Sequence, residues 1–322
     1  MINNKEGSLL KDVLRRRESV IFIILVIICV AMSIARPDSF ATENNLFNIM
    51  RQISIVAIIA IGQTFVIITG GIDLSVGHSM GLGSIVMAWM MRQNFSDPLA
   101  ILSCVLLTCL VGFINGLAIT YLNLPPFIAT LGTANICRGL NYIITKGYPI
   151  NIDNPFIIAW GGRNWGPIPI MSITMIILVV LSQYLLVRHR FGNRILSIGG
   201  NETAAHLSGI NVRKYKITVH TLTGLLCGIA GLITAGRLNS GNPTAGGTFD
   251  MDSIAAAIVG GTLMSGGEGS VIGTFLGALL LGVIRNSLVL LRIDMYWQVV
   301  VIGILIITVC GMDHIANKSK NS

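Results

Sequence analysis

Long runs of apolar residues, separated by short polar connections, dominate the chain. Ten such segments lie at residues 19–35, 53–69, 74–91, 99–122, 126–144, 168–187, 217–238, 254–264, 270–291 and 296–311. An α-helix needs about 20 residues to cross the hydrocarbon core of a bilayer. Strands of a membrane barrel alternate apolar and polar positions, whereas these runs are continuous. The pattern predicts an all-α, polytopic integral membrane protein with about ten transmembrane helices. The short third and eighth segments are also compatible with re-entrant hairpins.

The composition narrows the class of protein. Only 36 of the 322 residues are charged (22 Lys and Arg with 14 Asp and Glu), or 11%, against 53% hydrophobic residues. Soluble domains are about 25% charged. These values exclude a soluble enzyme, a secreted disulfide scaffold, a disordered chain and a nucleic-acid-binding domain. No segment is long and polar enough for a separate soluble domain, so a single transmembrane domain over residues 1–322 is predicted.

The basic residues predict the orientation of the helices. Thirteen of the 22 Lys and Arg residues fall at 1–18, 188–216 and 312–322. Because Lys and Arg collect in cytoplasmic loops, we expect both tails and the connection 188–216 to be cytoplasmic. The net charge of +8 is then an orientation signal and does not indicate a nucleic-acid partner. The basic N-terminus before residue 19 resembles a secretory signal, but the many later segments favour an uncleaved first helix.

The connection 188–216 contains the pattern of a short helix. Asn201 is a suitable N-cap, Glu202 follows where the helix dipole favours an acid, and Gly209 suits the position past the helix end. Such a helix, with small and apolar residues on it, fits either of two roles. It would dock into a groove of a partner protein, or it would lie on lipid headgroups.

No pattern for catalysis or metal binding is present. The chain has no phosphate-binding loop, no H-E-x-x-H motif and no histidine spacing typical of metal ligands. We therefore expect no enzyme activity, metal or cofactor in this chain. Uphill transport would take its energy from another subunit or from an ion gradient.

Several polar residues lie within the apolar segments, where they are costly and tend to face cavities or partners. An uncharged, hydroxyl-rich substrate needs neutral donors and acceptors along its path. Candidate pathway residues are Gln63, Asn115, Asn135, Arg138 and Asn141. The last three recur at i, i+3 and i+6, which predicts one face of the fifth helix. Hydrogen bonding between helices is the alternative for each of them.

Two glycine-rich connections resemble each other. Residues 70–77 read GGIDLSVG and residues 266–273 read GGEGSVIG. Transporters are often built from repeats with broken helices, so an internal repeat and a chance similarity of membrane turns are both open. Within the first connection, Asp73 is predicted to cap the following helix, with proton coupling as the alternative.

Four motifs carry a family resemblance. Residues 199–212 (GGNETAAHLSGINV), 70–77 (GGIDLSVG), 243–246 (PTAG) and 255–262 (AAAIVGGT) resemble the permease subunits of bacterial ABC importers for monosaccharides, of the ribose permease type. The resemblance runs from about residue 52 to the C-terminus. Arg285 departs from it, since many relatives have a neutral polar residue there.

The resemblance implies a translocation pathway in the bacterial inner membrane for a ribose-like pentose, a related sugar or the autoinducer-2 signal. The implied partners are an ABC ATPase subunit that holds ATP and magnesium, a periplasmic sugar-binding protein, membrane lipid and a second permease chain, identical or related. Residues 199–212 would be the coupling helix, with Gly200, Asn201, Glu202, Ala204, Ala205, Ser208 and Gly209 as coupling residues. Gly71, Asp73, Ser75 and Gly77 would form a structural motif. A secondary, ion-coupled transporter and a membrane enzyme or scaffold are the rival interpretations.

Overall fold

The computed structural model describes residues 17–318, and most of them are helical. The elements in chain order are α1 (Arg17–Ala35), α2 (Glu43–Ile68), α3 (Val76–Arg92), α4 (Asp97–Tyr121), α5 (Pro126–Thr145), β1 (Ile150–Asn151), α6 (Pro155–Gly162), β2 (Asn164–Trp165), β3 (Ile168–Pro169), α7 (Ile170–Val187), α8 (Arg190–Gly200), α9 (Glu202–Leu207), α10 (Val212–Leu238), β4 (Ser240–Gly241), α11 (Phe249–Val259), α12 (Val271–Leu290) and α13 (Met295–Lys318).

Six helices in the described part of the chain are long and apolar enough to cross a membrane: α1, α2, α4, α7, α10 and α12. The other four predicted spans are shorter or less uniformly apolar. Helix α3 has 17 residues and α11 has 11, whereas α13 is apolar over its part Met295–Ile304 and α5 carries several polar residues. The predicted helical membrane protein is confirmed, and the number of crossings stays a prediction.

The structure corrects several predicted boundaries. Helix α2 begins ten residues before the predicted segment because Thr42 caps it, its Oγ1 accepting from the Asn45 N–H at 3.3 Å. Helix α13 continues to Lys318, past the predicted tail boundary at 312. Helices α6 and α8 were not predicted, and four two-residue strands qualify the all-α class. Residues 1–16 and 319–322 of the predicted tails lie outside the described residues.

Helix α2 forms the centre of the bundle. Most of its side chains are buried, and it packs against α7, α10, α11 and α12. Helix α1, in contrast, lies at the edge against α12 and exposes apolar residues such as Ile27 and Ile34. Apolar exposure of this kind is what a hydrocarbon surrounding requires. The burial pattern therefore separates a central helix from a lipid-facing one.

Helices α4 and α10 form the most extensive helix pair, and small residues bring their backbones together. A Cβ at Gly112 would lie 2.1 Å from the His220 carbonyl oxygen, and one at Gly224 would lie 2.2 Å from that of Thr108. Such close contact between helices is typical of membrane proteins. The contact fixes α10 beside α4 and so positions His220 within the bundle.

The bundle has two distinct ends, joined by α10. At the start of α10 lie α8 and α9, and a Cβ at Gly199 there would meet the Ile68 carbonyl oxygen and the Gly267 N–H. We call this the α8–α9 end. At the other end of α10, β4 pairs antiparallel with β1 (Ile150↔Gly241 and Asn151↔Ser240). We call this the sheet end.

Candidate functional site

The short helix predicted within residues 188–216 is present as α9. The Asn201 Oδ1 accepts from the Ala204 N–H at 2.9 Å, so Asn201 is the N-cap. Gly209 follows the helix end with φ +83°, a left-handed conformation that glycine adopts without strain. The predicted start and stop of this helix are confirmed. Its role in coupling is not tested by these contacts.

The exposed surface of α9 differs from the predicted one. Ala205 is only 4% exposed and packs with Ile198 and Val212, so it seats the helix and does not offer a docking face. Leu207 is 82% exposed and lies beside exposed Ser208. Ala205 therefore anchors α9, and its coupling role stays a prediction, while Leu207 is the most exposed apolar side chain of α9.

A groove of about 1090 Å³ lies beside α9. One wall is the connection between α4 and α5, and the other is formed by α9 and the start of α10. Glu202 and Lys216 bridge the second wall through a 2.7 Å ion pair. Further lining residues are His206, Arg213, Asn123 and Pro126. The groove is amphipathic and opens at the α8–α9 end.

The junction between α2 and α3 holds a buried acid. Asp73 is 2% exposed, and its Oδ1 accepts from the Ser75 N–H at 2.8 Å and the Ser75 hydroxyl at 2.6 Å. Its Oδ2 lies 3.1 Å from Nδ1 of His220 on α10. Asp73 was predicted to cap α3, but its carboxylate bonds Ser75, the residue before that helix. It ties the residue before α3 to α10.

Gln63 and Asn115 surround the same junction. The Gln63 amide is oriented by its network, with the nitrogen donating to the Asp73 carbonyl (3.2 Å) and the oxygen accepting from the Asp73 N–H (3.1 Å). The Asn115 Nδ2 donates to the Ser75 hydroxyl at 2.9 Å. Both residues are fully buried. Gln63 and the Asn115 Nδ2 thus make hydrogen bonds to the α2–α3 junction, whereas the Asn115 Oδ1 has no partner among the described residues, and the pathway role of both stays a prediction.

The remaining candidate pathway residues lie on α5 and do not share one environment. Asn135 and Arg138 are exposed, and the Asn135 Nδ2 donates to its own helix at the Leu131 carbonyl, 3.1 Å away. Asn141 is fully buried, and its Nδ2 donates to the His78 carbonyl at 3.2 Å. The predicted common face is therefore split into an exposed polar strip and a buried contact with α3.

Two acids near the start of α11 escaped the sequence prediction. Asp252 forms a bidentate pair with Arg285 of α12, with N–O distances of 3.0 and 3.2 Å. Asp250 lies two residues earlier, and both acids are in the first turn of α11. The predicted eighth segment began at residue 254, beyond both. Acidic residues just before an apolar run are a helix-start signal that would have found them.

The second glycine-rich connection also ends at a helix start. The Ser270 hydroxyl accepts from the Gly273 N–H at 3.1 Å and caps α12, while the Gly267 N–H donates to the Ile68 carbonyl at 2.9 Å. Glu268, its only acid, is exposed. The two connections thus share a Gly-Gly turn and a following helix, but their side-chain contacts differ.

Long apolar helices with polar residues buried between them are typical of a multi-pass membrane protein. Comparison with known proteins also identifies a membrane permease. The profile of the family described as "Branched-chain amino acid transport system / permease component" matches residues 45–310. The chain belongs to this family, whose members are permease components of transporters and not themselves catalytic enzymes. It is a multi-pass protein of the inner membrane.

Named relatives cover nearly the whole chain. The chain is 42% identical to the ribose import permease protein RbsC of Bacillus subtilis, over 91% of both proteins. It is 36% identical to the D-allose transport system permease protein AlsC of Escherichia coli, over 92% of this chain and 91% of that protein. It is 35% identical to the fructose import permease protein FrcC of Rhizobium meliloti, over 91% and 84%. All three are named as permease proteins for a sugar, and two of the names specify import.

Proposed function

We propose that this chain is the permease subunit of an ATP-driven importer that carries a monosaccharide, a ribose-like pentose or a related sugar, across the inner membrane. The observation that carries the proposal is the similarity to sugar import permeases over about nine-tenths of the chain. The described residues add a polar interior with neutral amides and hydroxyls, which suits an uncharged solute.

The proposed topology has ten passes with both termini in the cytoplasm. Helices α3, α5 and α13 would join the six long apolar helices, and α11 together with the chain before it would form the tenth, broken pass. The α8–α9 end would face the cytoplasm, because the six Lys and Arg residues between 188 and 216 belong to it. The sheet end would then meet the periplasmic binding protein.

Helix α9 is the proposed docking element for the ATPase. Its exposed Leu207 projects beside a groove wall that carries an ion pair, Glu202 to Lys216. A rigid, capped helix of six residues transmits a displacement better than a flexible loop, since its ends are fixed by Asn201 and Gly209. We therefore place the ATP-dependent movement at α9 and the ATP with its magnesium on the partner subunit.

A second permease chain is proposed from the exposed strip on α5. Arg138 lies in the middle of that helix and is exposed, with Asn135 one turn away. A charged side chain facing hydrocarbon at this depth is costly. A second copy or a related chain would cover the strip and enclose a polar path between the two. We retain the predicted pathway role of Asn135 and Arg138 on this path between the two chains.

Reconstitution tests the proposal by omission. Proteoliposomes would contain this chain with its ATPase, with ATP on the cytoplasmic side and the sugar-binding protein loaded with labelled D-ribose, D-allose or D-fructose outside. We expect accumulation of at least one sugar with all components and none when the ATPase or the binding protein is left out. Equal accumulation without the ATPase would contradict the proposal.

The docking assignment has its own variants. Leu207→Asp places a charge on the exposed tip of α9, so we expect at least a tenfold loss of ATPase association in co-purification, as for an interface anchor. Leu207→Met keeps an apolar side chain and serves as the matched control. An unchanged melting temperature shows that the spans stay folded. Normal association of Leu207→Asp would refute the assignment.

A further inference from the structure

Three polar groups meet between α3, α5 and the start of α11, away from the Asp73 junction. They are His78 on α3, Asn141 on α5 and Asp250 on α11. The Asn141 Nδ2 donates to the His78 carbonyl at 3.2 Å. A Cβ at Gly77 would lie 3.3 Å from the Asp250 N–H nitrogen, so the start of α11 packs directly against the residue before His78. The three side chains therefore form one cluster.

Each member of the cluster has a buried polar atom without a hydrogen-bond partner among the described residues. These atoms are His78 Nδ1, Asn141 Oδ1 and Asp250 Oδ1. Asn141 as a whole is fully buried. An unpaired buried donor or acceptor is destabilising, and native proteins contain few of them. Three in one place indicate a site that is completed by a molecule from outside the chain.

The surroundings favour a hydroxylated ligand. Asp250 and Asn141 each offer an acceptor oxygen, and the His78 nitrogen accepts or donates according to its tautomer. Arg138 lies one turn before Asn141 on α5, is exposed and carries guanidinium donors. Helix α11 also directs its positive N-terminal end here, as broken helices of transporters do at substrate sites. Hydroxyl groups are donors and acceptors at once and match this mixture.

We propose that His78, Asn141 and Asp250 bind the hydroxyl groups of the sugar during its passage through the membrane. This inference rests on the proposed function and assigns its substrate site. It places this sugar contact where α3 meets α11, apart from Gln63, whose amide is engaged with the backbone of Asp73.

The closed contact of α3 with α11 explains why the orphan atoms are buried here. Gly77 and Gly246 touch through their backbones, since a Cβ at Gly77 would lie 2.3 Å from the Gly246 carbonyl oxygen. Thr248, two residues after Gly246, is exposed. A movement that parted α3 from the chain before α11 would therefore expose the three atoms on the side of Thr248.

The site is tested by combining substitutions of its side chains with removal of single hydroxyl groups from the sugar, as in a double-mutant cycle. Uptake of D-ribose and of its 2-deoxy, 3-deoxy and 5-deoxy analogues would be measured in proteoliposomes for the wild type, Asn141→Ala and Asp250→Ala. Variant-to-wild-type ratios cancel the preferences of the binding protein. We expect uptake of D-ribose by each variant to be roughly three- to tenfold lower than by the wild type, the value of one hydrogen bond. For the analogue that lacks the hydroxyl bound by the substituted side chain, we expect the variant and the wild type to transport equally well.

Structural damage would lower the uptake of every sugar by the same factor. Equal variant-to-wild-type ratios for D-ribose and all its analogues would therefore overturn the proposed site, and so would unchanged uptake of D-ribose by the variants. Asp250→Asn keeps the shape and replaces Asp250→Ala where the latter does not assemble with the ATPase. Asp38→Ala, in the exposed turn between α1 and α2, is the control and should keep wild-type ratios. Failure of the wild type to carry ribose, allose or fructose would refute the proposed function, which is a distinguishable result.

Discussion

The two glycine-rich junctions have similar sequences and opposite physical chemistry. In the α2–α3 junction, the acid is buried and linked to two further helices: Asp73 contacts His220 on α10, and Ser75, which is bonded to Asp73, contacts Asn115 on α4. In the α11–α12 junction, the acid Glu268 is exposed, and the contacts are backbone ones to the end of α2.

The difference teaches that the shared pattern encodes the turn and not its surroundings. Gly70 and Gly266 both adopt positive φ, at 79° and 83°, and both precede a helix that begins a few residues later. The first junction is held by buried side chains, and the second by close packing of its glycines against Ile68 and Gly199. Substitutions at matched positions should therefore have unequal effects.

The largest effect is expected at the acids. Asp73→Ala would leave the Ser75 N–H, the Ser75 hydroxyl and the His220 Nδ1 buried without their carboxylate partner, and each buried polar group left unpaired costs about 1–3 kcal/mol. Glu268→Ala, at an exposed position, should change the free energy of unfolding by about 0.5 kcal/mol or less. Melting temperatures of the detergent-solubilised protein measure both. Equal shifts would mean that the buried network does not support the first junction.

Adjacent glycines at the second junction provide the next test. A Cβ at Gly199 would lie 1.7 Å from the Ile68 carbonyl oxygen and 2.4 Å from the Gly267 N–H nitrogen, whereas nothing lies within 4 Å at Gly200. Gly199→Ala should destabilise by about 1–3 kcal/mol through overpacking.

Gly200→Ala, in the same helix, serves as the control and should be neutral or slightly stabilising because alanine favours the helix. Thermal unfolding of the two variants, side by side, makes the comparison. A neutral Gly199→Ala would show that the packing of α8 against this junction is not tight.

The serines give the smallest expected contrast. Ser75→Ala leaves the Asn115 amide buried without its acceptor, which costs about 1–3 kcal/mol. Ser270→Ala removes an N-cap, typically about 1 kcal/mol. We expect Ser75→Ala to melt at the lower temperature, although Ser75 caps nothing through its side chain. A lower melting temperature for Ser270→Ala would show that the N-cap of α12 contributes more to stability than the hydrogen bond of Ser75 to Asn115.

The sequence predicted local features well where short-range rules decide them. The start and stop of α9 followed from Asn201 and Gly209, because caps depend on residues within one turn. Helix α2 was predicted ten residues too short, since its polar first turns hid a helix that is buried by neighbours distant in the chain. Helix α8 was missed for the same reason: its backbone meets Ile68 and Gly267, contacts that no local pattern reports.

The site could be predicted only in part. Gln63, Asn115 and Asn141 were recognised as unusual polar residues within spans, but periodicity does not show which of them face each other. The partners that decide their roles, Ser75, Asp73 and His78, lie 40, 10 and 63 residues away. Asp250 was missed because the predicted helix began after it.

The central claim is that ATP, and not a proton taken up at Asp73, drives transport. The direct measurement is sugar accumulation by proteoliposomes with ATP held constant, before and after addition of a protonophore. Because both carboxylate oxygens of Asp73 are engaged with Ser75 and His220, we predict unchanged accumulation after the protonophore and none without ATP. Collapse of accumulation by the protonophore at constant ATP would contradict the account.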